Sequence, residues 1–290
     1  LAFVARRLPM RWLAGLGVVL LLLQGGITFG EGRRLESVRA AAEAPAATAA
    51  ERTRWAQERT SYVPTPEEIA TEMRGYLGGM AEVFATRAPT TREFQLILFP
   101  IAFFLEISGM MLIGMALLKS GWIMGRRSAA HYATMAASGF ATGVPVFAAL
   151  AHMQMAGGWE GDVYLRAEGV SVVARVPLAL AWAALVLWAW KRAGPDSLPR
   201  LRAAGRMALT NYLMASVLMT TLFYGYGLGL FGSLSRAQLV LLVVPAVWVL
   251  QLLWSKPWLE RHHFGPFEWL WRTLARGEVQ PWRRAVLAPA

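Results

Sequence analysis

The residues able to do chemistry are few, and most stand in apolar surroundings. Glu106 lies in the middle of the run QLILFPIAFFLEISGMMLIGMALL, Gln95 to Leu118. An ionised carboxylate in such a run is costly, so it must be protonated, paired or turned to water. Arg175, inside the apolar run Gly169 to Trp190, is the obvious partner. Such a pair serves either as a proton or substrate site or as an ion pair that holds two helices together. Asn211 and Gln251 stand in two later apolar runs and can hydrogen-bond across helices. Contacts of that kind contribute about 0.6 kcal/mol on average, which points to a structural role. Thr220, Thr221, Tyr224 and Tyr226 add hydroxyls to the same region as Asn211, so that helix is expected to face a bundle rather than lipid. The membrane-embedded polar candidates are therefore Glu106, Arg175, Asn211, Gln251 and Tyr224.

Other chemistries find no support. The chain has no cysteine, which removes disulfide frameworks and thiolate metal sites. His131 and His152 bracket one apolar run, and His262 and His263 are adjacent, a poor spacing for metal ligation because helical neighbours point about 100° apart. There is no nucleotide-binding loop, metalloprotease pattern or recognisable catalytic triad. No metal and no cofactor is expected, and the catalytic residues, if any, are unknown.

Lipid is the solvent that the composition demands. Of 290 residues 56% are hydrophobic and 16% charged, with 13 each of Trp, Phe and Met. Mean hydropathy is +0.40, too high for a disordered chain. A membrane helix needs about 20 apolar residues, and six stretches qualify: Trp12 to Phe29, Gln95 to Leu118, His131 to Met153, Gly169 to Trp190, Met207 to Phe231 and Ala237 to Trp254. None has the polar stripe of a water-facing helix. No small-residue cleavage site follows the first, so it reads as a span and not as a signal peptide.

The net charge of +11 is an orientation signal. The segment before span one, the second-to-third and fourth-to-fifth connections and the segment after span six hold 17 basic and 4 acidic residues; the remaining connections hold 11 and 13. Basic connections stay cytoplasmic, so an even number of spans leaves both ends inside the cell. No basic motif with interleaved base-stacking aromatics appears, which excludes nucleic acid. The bilayer and a small-molecule or acyl substrate are the partners expected. The sequence says nothing of oligomeric state.

Four parts are expected along the chain: residues 1–29, a cytoplasmic lead and first span; 30–93, an outer-face helical region; 94–254, a five-span bundle; and 255–290, a cytoplasmic interfacial tail. In the second, Thr65-Pro66-Glu67-Glu68 has the capping-box pattern of a helix start, and Thr90-Thr91-Arg92-Glu93 repeats it. AAEAPAATAA reads as a low-complexity link. This region is either a solvated helical cap or a binding domain. In the tail, Pro266 opens an amphipathic helix in which Glu268 and Arg272 can pair. Its Trp, Phe and Arg suit the headgroup layer; a regulatory or partner-binding tail is the alternative. Gly139 with Gly143, and Gly225 with Gly229, have the spacing of close helix packing. Pro100, Pro145, Pro177 and Pro245 should kink or open their spans.

GRMALTNYL (Gly205 to Leu213), FYGYGLGLFGSLSRAQ (Phe223 to Gln238), FGPFEWLWRTLARGEVQPWRR (Phe264 to Arg284) and MMLIGMALLKSGW (Met110 to Trp122) resemble the YeiB-like bacterial membrane family, domain of unknown function 418. The resemblance implies an all-α, polytopic inner-membrane bundle and, more distantly, kinship with membrane acyltransferases. The family's usual L-D-x-L-R-G-like motif is missing, and Leu1-Ala2-Phe3-Val4 resembles the end of an earlier helix, so an N-terminal portion is expected to precede this chain. Three functions follow as alternatives: a transporter-like protein, an acyltransferase acting on an outer-face glycan or lipid, and a non-catalytic structural partner.

Overall fold

The computed structural model describes residues 5–194 and 197–284. Leu1–Val4, and Asp196, one of the four acidic residues counted in the basic connections, lie outside the described residues, as does the end of the 255–290 tail. The described residues are helical, with one isolated antiparallel bridge between His262 and Arg283. The chain divides into two compact units, Leu1–Ile69 with Thr90–Arg192 and Ala70–Pro89 with Ala193–Ala290.

In the first unit, α1 (Met10–Glu43) has 34 residues. It is about 51 Å long at 1.5 Å per residue, well beyond a ~30 Å hydrocarbon core. The expected span is thus only its apolar first half. Leu13, Gly17, Leu21, Gln24 and Gly25 are buried along one stripe, while Val19, Leu22, Leu23 and Ile27 are exposed. An apolar exposed face is what a lipid-facing helix shows. The stripe works by close approach: a Cβ on Gly17 would lie 2.8 Å from the Gly109 carbonyl oxygen, and one on Gly25 would lie 2.6 Å from that of Gly169. Lipid tails are as apolar as leucine, so packing of this kind, rather than water exclusion, associates the helices.

The AAEAPAATAA segment is half helix, with a non-helical link, Ala44–Thr48, in its middle. Its first residues end α1 and its last begin α2 (Ala49–Thr60), whose capping box joins Thr48 and Glu51. Thr65 and Glu68 form the expected box at the start of α3 (Pro66–Leu77), with Thr65 N–H donating to Glu68 Oε2 at 2.7 Å. Thr90 to Glu93 start nothing: they lie inside α4 (Met80–Glu93), which runs directly into a π-helical stretch, Phe94–Phe103. A capping pattern is silent when the preceding residues are already helical.

Pro100 lies in that wide stretch, and α5 (Phe104–Lys119) leaves it at 63°. Proline offers no N–H to the carbonyl one turn back, and π-type turns absorb the defect. Pro145 and Pro177, by contrast, sit inside the continuous helices α6 (Ala129–Ala156) and α7 (Gly161–Ala193). Gly139 meets Ala181 and the Pro177 carbonyl across that pair, and Gly143 meets Leu178, as the spacing implied. The tight turn between α5 and α6 needs Gly121 and Gly125 at φ 70° and 73°. The fully buried Tyr132 closes it by donating to the Trp122 carbonyl at 2.6 Å.

The second unit contains α8 (Pro199–Arg206), α9 (Ala208–Phe223), the one-turn α10 (Arg236–Gln238), a π-helical turn Leu239–Val243, α11 (Val244–Arg261) and α12 (Pro266–Arg276). Pro245 falls in the first turn of α11, just after the π turn. The expected fifth span, Met207 to Phe231, is helical only through Phe223. The rest folds back as a glycine-rich loop: Leu228 N–H donates to the Thr221 carbonyl at 2.8 Å and Phe231 N–H to that of Phe223 at 2.9 Å. Gly225 and Gly229 belong to this loop and are not a helix-packing pair; Gly225 N–H donates to Tyr76 O at 2.9 Å.

Among the described residues, four helices are long and apolar enough to cross a bilayer, and five if the bent pair at Pro100 counts as one. The difference from six is α9, whose 16 residues reach only about 24 Å.

Candidate functional site

Arg175 is the centre of a polar cluster that joins two of the apolar helices. It lies on α7 one turn beyond Ser171 and two beyond Glu168, so the three share a helix face. Its Nη1 donates to Glu106 Oε1 and its Nη2 to Glu168 Oε1. Nη2 also donates to Ser171 Oγ at 2.9 Å, and Ser171 Oγ–H donates to Glu168 Oε2 at 2.9 Å. Glu106 reaches the pair from the first turn of α5, directly after the bend. A carboxylate there also meets the positive end of the helix dipole. The Glu106 side chain is 13% exposed, Glu168 26% and Arg175 35%.

The expected Glu106–Arg175 partnership is therefore present, but the cluster has a member that sequence reasoning missed. Glu168 stands one residue before the span assigned from Gly169. Its signal was available: residues 168, 171 and 175 follow the helical i, i+3, i+7 spacing. One guanidinium serves two carboxylates, so with both ionised the cluster carries one net negative charge.

A second charged group joins α1 to the start of α7. The fully buried Asp162 accepts from Arg39 at 3.0 Å and Arg166 at 3.4 Å through Oδ2, and Arg166 also binds Glu36 at 2.9 Å. Asp162 Oδ1 is buried with no hydrogen-bond partner among the described residues. Nearby, Arg34 bridges Glu31 and Glu58, and Arg59 grips Glu160 with contacts of 2.7–3.1 Å. Hydrogen bonding from Arg59 holds the Glu160 carboxyl below its ordinary value, and Arg34 does the same for Glu58.

The remaining candidates lie in the second unit. Asn211 is the hub of a helix junction: its Nδ2 donates to Ser255 Oγ at 3.2 Å and to Ala204 O at 3.1 Å, and its Oδ1 accepts from Trp254 Nε1 at 3.0 Å. Gln251 Nε2 donates to the Asn211 carbonyl at 3.2 Å. Together they edge a cavity of about 200 Å³ whose other walls are apolar. Tyr224 is not embedded in a span. It caps α9, accepts from Arg87 Nη1 at 2.6 Å and stacks on Tyr76 with ring centroids 5.1 Å apart. Glu268 binds Thr210 rather than the expected Arg272: the Thr210 N–H donates to Oε1 at 3.1 Å, and its hydroxyl to Oε2. The orphan donors at the start of α9 outbid a solvent-exposed side-chain pair. Arg272 lies over the Phe264 ring at 4.8 Å instead. Among the described residues, no three His, Cys, Asp or Glu side chains are grouped to hold a metal ion.

Long apolar helices with exposed apolar faces, closely packed glycines and charges gathered into bonded clusters define an α-helical, multi-pass membrane protein. Residues 117–278 match the family described as protein of unknown function (DUF418), and the chain belongs to that family. It is similar to the uncharacterized protein YeiB of Escherichia coli (strain K12), with 33% identity over 230 residues, 78% of this chain and 58% of that protein. It is 49% identical over 79 residues to the uncharacterized protein YxaH of Bacillus subtilis (strain 168), covering 27% of this chain and 19% of that one. An uncharacterized 39.9 kDa protein in the amylase 3′ region of Bacillus acidopullulyticus is 40% identical over 81 residues, 28% of this chain and 22% of its own length. The chain thus spans little more than half of YeiB and about a fifth of the other two. No solved structure matches it.

Proposed function

We propose that the protein is transporter-like, moves a small molecule or group across the bacterial plasma membrane, and uses Glu106, Glu168 and Arg175 as its polar centre. The observation that carries this reading is Arg175 shared between a carboxylate at the bend of a discontinuous helix and a second carboxylate on its own helix. Broken helices are where transporters place substrate and coupling-ion groups, and ionisable residues at such depth are functional by default. A proton or a substrate cation would neutralise the cluster's negative charge. Protonating either glutamate weakens one arm of the guanidinium fork and leaves the other bound.

Both chain ends are assigned to the cytoplasm in this reading, with α9 counted as a crossing and residues 30–93 outside. Charge segregation within each unit supports it. In the first, Lys119 Nζ donates to the Arg6 and Leu8 carbonyls at 2.6 Å, and Trp190 packs at Gly125, so these basic segments share one end. In the second, Arg206 Nη2 donates to the His263 carbonyl at 3.3 Å, joining the two basic segments there. The functional parts remain residues 1–29, 30–93, 94–254 and 255–290.

The test compares small molecules inside and outside cells that express the protein with those of non-expressing cells, by mass spectrometry. Glu106→Gln and Arg175→Gln are expected to abolish the difference at equal membrane abundance. Retention of the difference in a Glu106→Leu, Glu168→Leu, Arg175→Leu variant would assign the cluster to packing, because apolar residues can replace a buried ion pair.

A further inference from the structure

The second unit holds a cleft of about 450 Å³ between the α8–α9 junction and α12, walled by Arg206, Glu268, Trp271, Arg272 and Arg276 with Ala208 and Leu209. Its lining carries a positive excess, three guanidiniums against one carboxylate. Glu268 is the only carboxylate among these walls, and both of its oxygens are engaged by Thr210. Among the described residues the three guanidiniums have no carboxylate partner there: Arg206 donates to the His263 carbonyl, Arg276 to Gln280 Oε1 at 2.9 Å, and Arg272 lies over Phe264. Carbonyl, amide and ring partners leave a guanidinium's charge uncompensated and its remaining donors open.

The cleft is also held in a fixed place. Thr210 ties down α12 through Glu268 and accepts from the Phe267 N–H at 3.0 Å. Trp269, about 100° around the helix from Glu268, donates to the Gln280 carbonyl at 2.8 Å. Docked in this way, α12 exposes Leu270, Trp271 and Leu274 at 44%, 66% and 69%. Residues 270, 271 and 274 form one strip of the helix, and Trp271 is shared between that strip and the cleft wall. An apolar strip edged by tryptophan, beside a cleft of arginines, matches the boundary of a bilayer, where acyl chains meet phosphates.

We propose that this cleft is a binding site for the phosphate headgroup of an anionic membrane lipid, with Arg206, Arg272 and Arg276 as its anion-binding groups and Trp271 as the contact to the acyl boundary. A dedicated site differs from general surface attraction because it draws guanidiniums from two segments, α8 and α12, around one concave volume. The inference rests on the second unit alone and does not depend on the Glu106 cluster.

Native mass spectrometry of the full chain in detergent tests it, with phosphatidylglycerol and phosphatidylcholine titrated separately. Wild type is expected to hold phosphatidylglycerol more tightly. Arg206→Gln with Arg272→Gln and Arg276→Gln should weaken that binding by about tenfold or more and leave phosphatidylcholine unchanged. The corresponding triple Lys variant should keep the preference, which separates lost charge from lost folding. Arg236→Gln, a single charge change outside the cleft, should have no effect. Equal retention of the two lipids would overturn the proposal, as would loss of the preference in the Lys variant. Displacement of phosphatidylglycerol by millimolar inorganic phosphate would reassign the cleft to a soluble anion and would overturn it too.

Discussion

Two neighbouring glycines in α1 meet opposite surroundings. A methyl on Gly25 would press on the Gly169 backbone, which cannot move aside without shifting α7, while a methyl on Gly26 meets nothing within 4 Å. Gly25→Ala is therefore expected to lower stability by about 1–3 kcal/mol, the usual cost of overpacking. Gly26→Ala should leave it unchanged or slightly raised, since alanine loses less backbone freedom. Thermal unfolding in detergent separates the two; equal losses would mean that α1 and α7 do not cross there. Glu160 supplies a pH response. Its folded pKa lies below the unfolded one because Arg59 bonds the carboxylate. Its contribution is therefore fully present above the unfolded pKa and is lost as pH falls through the folded value. Both partners are partly exposed, at 47% for Arg59 and 20% for Glu160, so the contribution is at most about 1 kcal/mol. Unfolding midpoints measured from pH 6 down to pH 3 should fall less steeply in Arg59→Gln than in wild type.

At the scale of elements, the junction of α9 and α12 turns on one hydroxyl. Thr210 is fully buried, donates to Glu268 and accepts from the Phe267 N–H. Thr210→Val keeps the shape and removes both bonds, leaving part of a carboxylate and one N–H unsatisfied. The expected cost is about 1–3 kcal/mol, with faster amide exchange in Pro266–Arg276 and little change in α6. Exchange that rises equally in both would show that α12 is not an independently docked element. This junction also shows where sequence reading stops. The i, i+4 spacing of Glu268 and Arg272 is local and visible, whereas the unsatisfied donors that capture Glu268 lie 58 residues away. The same limit explains the glycines. Gly139 and Gly143 pack as their spacing implied because they sit mid-helix. Gly225 and Gly229 have the same spacing but lie beyond the end of α9 in a loop. Glu106 with Arg175 was legible because opposite charges are rare in apolar runs and have few places to go. Glu168 was not, because a span boundary drawn from hydropathy cut it off from the helix that carries it.

At the scale of the whole molecule, hydropathy gave the class of fold correctly and left the count of crossings to α9. Its 16 residues are short for a hydrocarbon core, yet the basic segments before and after it keep both ends inside only if it crosses. A chain without cysteine allows this to be decided directly. Single cysteines at Gln57, Met124, Ser233 and Glu278 occupy exposed positions in α2, the α5–α6 turn, the loop after α9 and the segment after α12. A membrane-impermeant maleimide applied to intact spheroplasts is expected to label Gln57→Cys and Ser233→Cys. Met124→Cys and Glu278→Cys should react only after permeabilisation. Ser233 is the decisive position. If it reacts only in permeabilised cells while Gln57→Cys reacts in intact ones, α9 is a cytoplasmic hairpin arm and its apolar face packs against protein rather than lipid. With Ser233 inside, α11 would then begin in the cytoplasm and carry residues 262–284 to the outer face, reversing the arginine bias there against the positive-inside rule. The labelling of Glu278→Cys checks that consequence in the same experiment: outward Glu278 must accompany inward Ser233 if α11 crosses once.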